Sequence, residues 1–104
     1  MHLATTETVP SAEIVEVLGI AKGNTVRAKN VGRDITQAIR NFTGGELKSY
    51  SGLLSDSREE ALSRLEDDAQ NLGADAVVNV RFETSEIAQG AAEILAYGTA
   101  VRLE

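Results

Sequence analysis

Tyr50, Tyr97, Arg58, Arg81 and Glu93 are the polar residues that this sequence sets among apolar neighbours. Arg81, Glu93 and Tyr97 are the ligand-binding candidates. An arginine, a glutamate and a tyrosine brought together can form a polar pocket. Buried, the same set can instead be a structural network that fixes how subunits register. No catalytic residue emerges. Cysteine is absent, no serine sits in a G-x-S-x-G setting, and the only histidine is His2, at a terminus expected to fray. Soft metal ions favour thiolate and imidazole. His2 and Met1 are the only side chains of that kind here. A harder cation would draw on Asp67, Asp68, Glu83, Glu86 and Glu93, although no spacing matches a calcium loop. Gly44-Gly45-Glu46, with Lys48 close by, could present backbone N–H groups to an anion. No P-loop pattern accompanies it, so a tight turn between two helices is the simpler reading.

These residues need a scaffold, and 104 residues allow one domain, spanning 1–104. Only Phe42, Tyr50, Phe82 and Tyr97 are aromatic, so the core is built from Val, Ile, Leu and Ala. Such a small core, without disulfides, gains stability by oligomerising. No apolar run approaches a membrane span. The first ten residues have neither a basic head nor an apolar stretch, so a cytoplasmic location is expected. The net charge is −6, which argues against a nucleic-acid partner. The charge is uneven. Lys22, Arg27, Lys29, Arg33, Arg40 and Lys48 against Asp34 and Glu46 make residues 22–48 net +4, leaving −10 elsewhere. That basic stretch is read as a solvated face, or as a partner for acidic groups on a neighbouring subunit.

Residues 3–8 form an edge strand or a loop, and Pro10-Ser11 marks a turn. Residues 13–30 read as two extended halves around Lys22-Gly23-Asn24, either one bent strand or a hairpin. Ile35, Ala38, Ile39 and Phe42 have helical spacing and predict a helix over 31–45, ended by Gly44-Gly45. A second, long helix is expected over 46–73, with a break near Ser55-Asp56-Ser57 as the alternative, and Gly73 as its stop. The strand 76–84 alternates. Val78, Val80, Phe82 and Thr84 are expected on one face, and Asn79, Arg81 and Glu83 on the other.

From Ala91 onward both faces of the last strand are largely apolar. Ala92, Ile94, Ala96, Gly98 and Ala100 form one face; Leu95, Tyr97, Thr99, Val101 and Leu103 form the other, with Glu93 at its start. Helices cover one side of the sheet, and a neighbouring subunit is the natural cover for the other. The small Ala and Gly residues suit close approach by that neighbour. The fold class is therefore α+β, a small antiparallel or mixed sheet with two helices on one face.

"RNFTGGELKSYSGLL", "REEALSRLEDDAQNLGADAVVNVRFETS" and "EILAYGTAV" together resemble the YbjQ-like family, labelled as heavy-metal-binding domains. The similarity runs from Thr5 to Leu103 in the same order and spacing. The resemblance implies a dodecin-like α+β subunit that assembles as a ring of five identical chains, with a metal ion as its cofactor or ligand. In such a ring, five copies of His2 could gather near the axis, with carboxylates adding ligands. The expected function is a cytoplasmic homopentameric binding or scaffold protein. The alternative is a small-molecule enzyme, or a ligand-sequestering ring, with its site between subunits.

Overall fold

Of residues 13–30, left open as one bent strand or a hairpin, Ile14–Arg27 form one strand, and 28–30 lie outside the described residues. The computed structural model describes residues 1–27, 48–88 and 91–104. Its elements are β1 (His2–Leu3), β2 (Ile14–Arg27), α1 (Lys48–Asn71), β3 (Ala76–Ala88) and β4 (Ala91–Leu103). The four strands make one mixed sheet in the order β1-β3-β4-β2. β1 runs parallel to β3, and β4 lies antiparallel to β3 and β2 on either side. The helix expected over 31–45 lies outside the described residues, so α1 is the one helix among them.

Gly23, expected to mark a turn or a bulge, sits in regular register mid-strand opposite Ala96. Its role is close approach. A Cβ on Gly23 would lie 2.3 Å from the Leu65 nitrogen and 2.5 Å from the Ala61 oxygen, so the backbone of α1 rests directly on β2. The bend in β2 comes instead from register shifts between Ile14 and Glu16 and between Val17 and Gly19, where Gly19 takes φ +134°.

α1 runs unbroken through Ser55-Asp56-Ser57. Ser57 is fully buried, and its carbonyl accepts the Thr25 hydroxyl at 3.4 Å, so the segment that weakens helical propensity is held by the sheet. The helix ends as expected. Gly73 has φ +81°, its N–H donates to the Gln70 carbonyl, and the Ala74 N–H donates to the Ala69 carbonyl. That is the paired bonding of a Schellman cap, which suits glycine at the left-handed position.

The expected alternation in β3 is overturned by a bulge. Val78 pairs with Thr99, but Arg81 pairs with Tyr97, so Asn79 and Val80 together oppose the single residue Gly98. Asn79 takes φ +56°, in the left-handed region that asparagine tolerates. The extra residue puts Val78 and Val80 on opposite faces. Val77 and Val80 join Ala21, Leu65, Ile94, Ala96 and Ala100 under the helix. Ala76 and Val78 join Val9 and Val101 on the far side. Arg81 and Glu83 continue that far side, because their partners Tyr97 and Leu95 follow Thr99 at intervals of two.

The two faces of β4 separate as expected, but their roles are exchanged. The small-residue face, with Ala96 and Ala100 fully buried, receives the chain's own helix and not a neighbour. Small side chains are needed there because the helix backbone comes so near. The lower end of the other face is covered by the chain itself, through Val9, Ala12 and Ile14. Above Thr99 that face is left open by the described residues. Ile20 is 73% exposed and Val26 48%, beside half-buried Leu95 and Tyr97. No helix among the described residues is long and apolar enough to cross a membrane.

Candidate functional site

The open half of the sheet face carries all three candidate side chains. Strand register orders them in rows. Lys22, Tyr97 and Arg81 lie opposite one another across β2, β4 and β3. Asn24, Leu95 and Glu83 form the next row, and Val26, Glu93 and Ser85 the one beyond. Neighbours across such a row have Cβ atoms about 5 Å apart. Tyr97 is therefore flanked by two cations.

The guanidinium of Arg81 is held by backbone. Nη1 donates to the Thr5 carbonyl at 3.0 Å and to its neighbour Val80's carbonyl at 2.9 Å. It thus ties the segment after β1 to the bulge in β3. Glu93 is half-buried and accepts a hydrogen bond from Asn24 Nδ2 at 3.0 Å. Four residues separate Glu93 from Tyr97 along β4, about 13 Å in an extended strand. So Arg81 and Tyr97 are adjacent, while Glu93 belongs to a separate contact with Asn24. A single Arg–Glu–Tyr cluster is not formed within one protomer.

Lys22 and Asn24 were missed as site residues because Lys22-Gly23-Asn24 reads as turn chemistry. Their side chains share the open face only because Gly23 keeps the strand extended. The backbone of the same two residues is clamped by the helix. Asp68 Oδ2 accepts the Lys22 N–H at 2.9 Å, and Arg64 Nη1 donates to the Asn24 carbonyl at 2.6 Å. Arg64 also pairs with Glu60, one turn earlier on α1.

Within one protomer, the donors among the described residues do not fit a heavy-metal ion. Among the described residues, no three His, Asp or Glu side chains converge. Several carboxylates already hold the fold. Asp68 clamps β2, Asp75 Oδ2 accepts the Leu103 N–H at 2.9 Å, Glu16 pairs with Arg102 at 3.2 Å, and Glu66 lies 3.6 Å from the terminal amine of Met1. His2 is exposed on β1, and the thioether of Met1 is the only other soft donor in the sequence, too few for a closed soft-metal site. Gly44-Gly45-Glu46 lie outside the described residues.

Comparison with known proteins gives this arrangement a family. The model of the YbjQ-like family, described as "Putative heavy-metal-binding", matches residues 1–104. A UPF0145 protein of Halobacterium salinarum is 67% identical over 103 residues, 99% of each chain. A UPF0145 protein of Archaeoglobus fulgidus is 59% identical over 101 residues, 97% of this chain and 94% of the relative. Among solved structures, a DUF74-family protein of unknown function from Pediococcus pentosaceus has the same fold. The TM-score is 0.67 at 14% identity, covering 100% of this chain and 98% of that one. With a family match along its whole length and relatives this similar, the chain belongs to the YbjQ-like, UPF0145 family.

Proposed function

We propose that this chain is a cytoplasmic binding or scaffold module that works as a homopentameric ring, not as an enzyme. The observation that carries the reading is the open half of the sheet face. Ile20 and Val26 stand in water beside Leu95 and Tyr97, next to a core made almost entirely of small aliphatic side chains. A domain of this size with such a face gains stability when a second copy covers it. The number five comes from the family resemblance. Arg81, Glu93 and Tyr97, with Lys22 and Asn24, are the polar groups that a ligand at this face would meet. The family description supports a metal ion as that ligand. No protomer assembles three donors among its described residues, and a metal held between copies would take donors from more than one of them.

The test is a double substitution, Ile20→Glu with Val26→Glu. Both side chains are exposed in the protomer, so the fold should survive with little change in far-UV circular dichroism. Burying two carboxylates between subunits should break the ring, and sedimentation should find folded monomers. A ring that stays intact would mean that this face is not between subunits.

A further inference from the structure

We propose that the row Lys22, Tyr97, Arg81 on the open sheet face binds an organic phosphate monoester, its phosphate over the Tyr97 hydroxyl and its apolar body toward Ile20. The inference rests on the binding-module reading above and names the class of ligand.

Two cations without an ion-pair partner carry it. Among the described residues, Arg64 pairs with Glu60 and Arg102 with Glu16. Lys22, Arg58 and Arg81 form no ion pair with a described carboxylate. Asp and Glu outnumber Lys and Arg by 16 to 10 in this chain, so carboxylates are not scarce. Two of these three cations flank one tyrosine. Lys22 and Arg81 lie opposite Tyr97 on either side, so all three side chains leave the same face of the sheet. Two strand spacings, about 10 Å, separate the outer pair. The long stems of lysine and arginine let both charges reach one anion above the tyrosine between them.

Each cation is anchored while its charge stays available. Asp68 Oδ2 holds the Lys22 backbone N–H, and the exposed Lys22 ammonium donates to no described residue. Arg81 uses only Nη1, on the Thr5 and Val80 carbonyls. Neutral carbonyls orient a guanidinium without cancelling its charge, and Nε and Nη2 remain as donors. Tyr97 is half-buried, and its hydroxyl bonds to no described residue, which leaves a third donor in the row.

The neighbouring rows select the rest of the ligand. On one side lie Glu83, beside Leu95, and Glu93, which accepts the Asn24 bond. Those carboxylates repel a second anionic group. On the other side Ile20 and Val78 lie opposite Thr99, and Ile20 is among the most exposed apolar residues described. The ligand therefore carries its charge at one end and an apolar body at the other. A phosphate monoester has a charge of about −1.5 to −2 at neutral pH, which matches two cations better than the single charge of a carboxylate.

Calorimetric titration of the wild-type protein with phenyl phosphate at low salt tests the proposal. One molecule should bind per chain, at least about 10-fold more tightly than benzoate. Lys22→Gln should weaken binding about 10-fold or more, and Tyr97→Phe about 3-fold or more. Lys22→Gln spares the fold, because Asp68 holds the main chain at that position. Arg58→Gln, which removes the unpaired cation of α1, should change nothing. No binding to an intact ring would overturn the inference and leave the homo-oligomeric reading standing; a neighbouring copy's carboxylate filling the place would give that result. Equal losses in the Lys22 and Arg58 variants would also overturn it, since attraction would then be diffuse. So would benzoate binding as tightly as phenyl phosphate. A monomeric wild type that binds phenyl phosphate with the expected losses would support the inference and overturn the ring.

Discussion

Gly23→Val is expected to be among the most damaging single changes in this chain, costing about 3 kcal/mol or more. The first carbon of any side chain at Gly23 would lie 2.3 Å from the Leu65 nitrogen, 2.5 Å from the Ala61 oxygen and 2.7 Å from the Arg64 carbonyl carbon. All three are helix backbone, which cannot swing aside as a side chain can. Relief requires lifting α1 off β2. That would expose Ala61 and Leu65, both fully buried, and pull Asp68 and Arg64 from the edge they clamp. A domain of this size has only about 5–15 kcal/mol in total, so the loss is a large share. Urea unfolding followed by circular dichroism should show the midpoint falling sharply with the slope nearly kept. An unchanged midpoint would mean that the helix does not rest on this strand.

Ala96→Glu should be comparably severe, at about 3–5 kcal/mol, because it buries a carboxylate with no partner. Ala96 is fully buried and lies between Gly23 and Phe82 in the sheet. On the sequence alone this substitution reads as a way to break the ring, with the small-residue face of β4 turned toward a neighbour. The structure turns that face to α1, so the charge strikes the protomer's own core. The expected product is an unfolded or molten chain, with loss of near-ultraviolet dichroism and binding of a hydrophobic dye. A folded monomer would contradict the placement of Ala96 beneath the helix.

Much of the frame was legible because it depends on local chemistry. Helical spacing over 46–73 predicted α1, and Gly73 announced its end, because a left-handed residue after a helix selects glycine. The two apolar faces of β4 were readable from alternation. The features that were missed are those in which one residue answers to a distant element. Gly23 carries the same sequence signal whether it turns a chain or admits a helix backbone 42 residues away. The only local signal of the bulge at Asn79-Val80 is Asn79 itself, a residue that strands disfavour, yet the bulge decides the facing of every residue between Val78 and Thr84. The bulge also sets the site. Arg81 comes beside Tyr97 because of it, and Glu93 lies too far along the strand to join them. Lys22 and Asn24 entered the site only when β2 proved continuous.

Native mass spectrometry of untagged protein, purified without chelator, tests the central claim most directly, because subunit number and bound mass are read together. The account predicts a species of five chains, with any metal mass released when the ring dissociates. A monomer would contradict it, and so would a metal ion retained by the single chain.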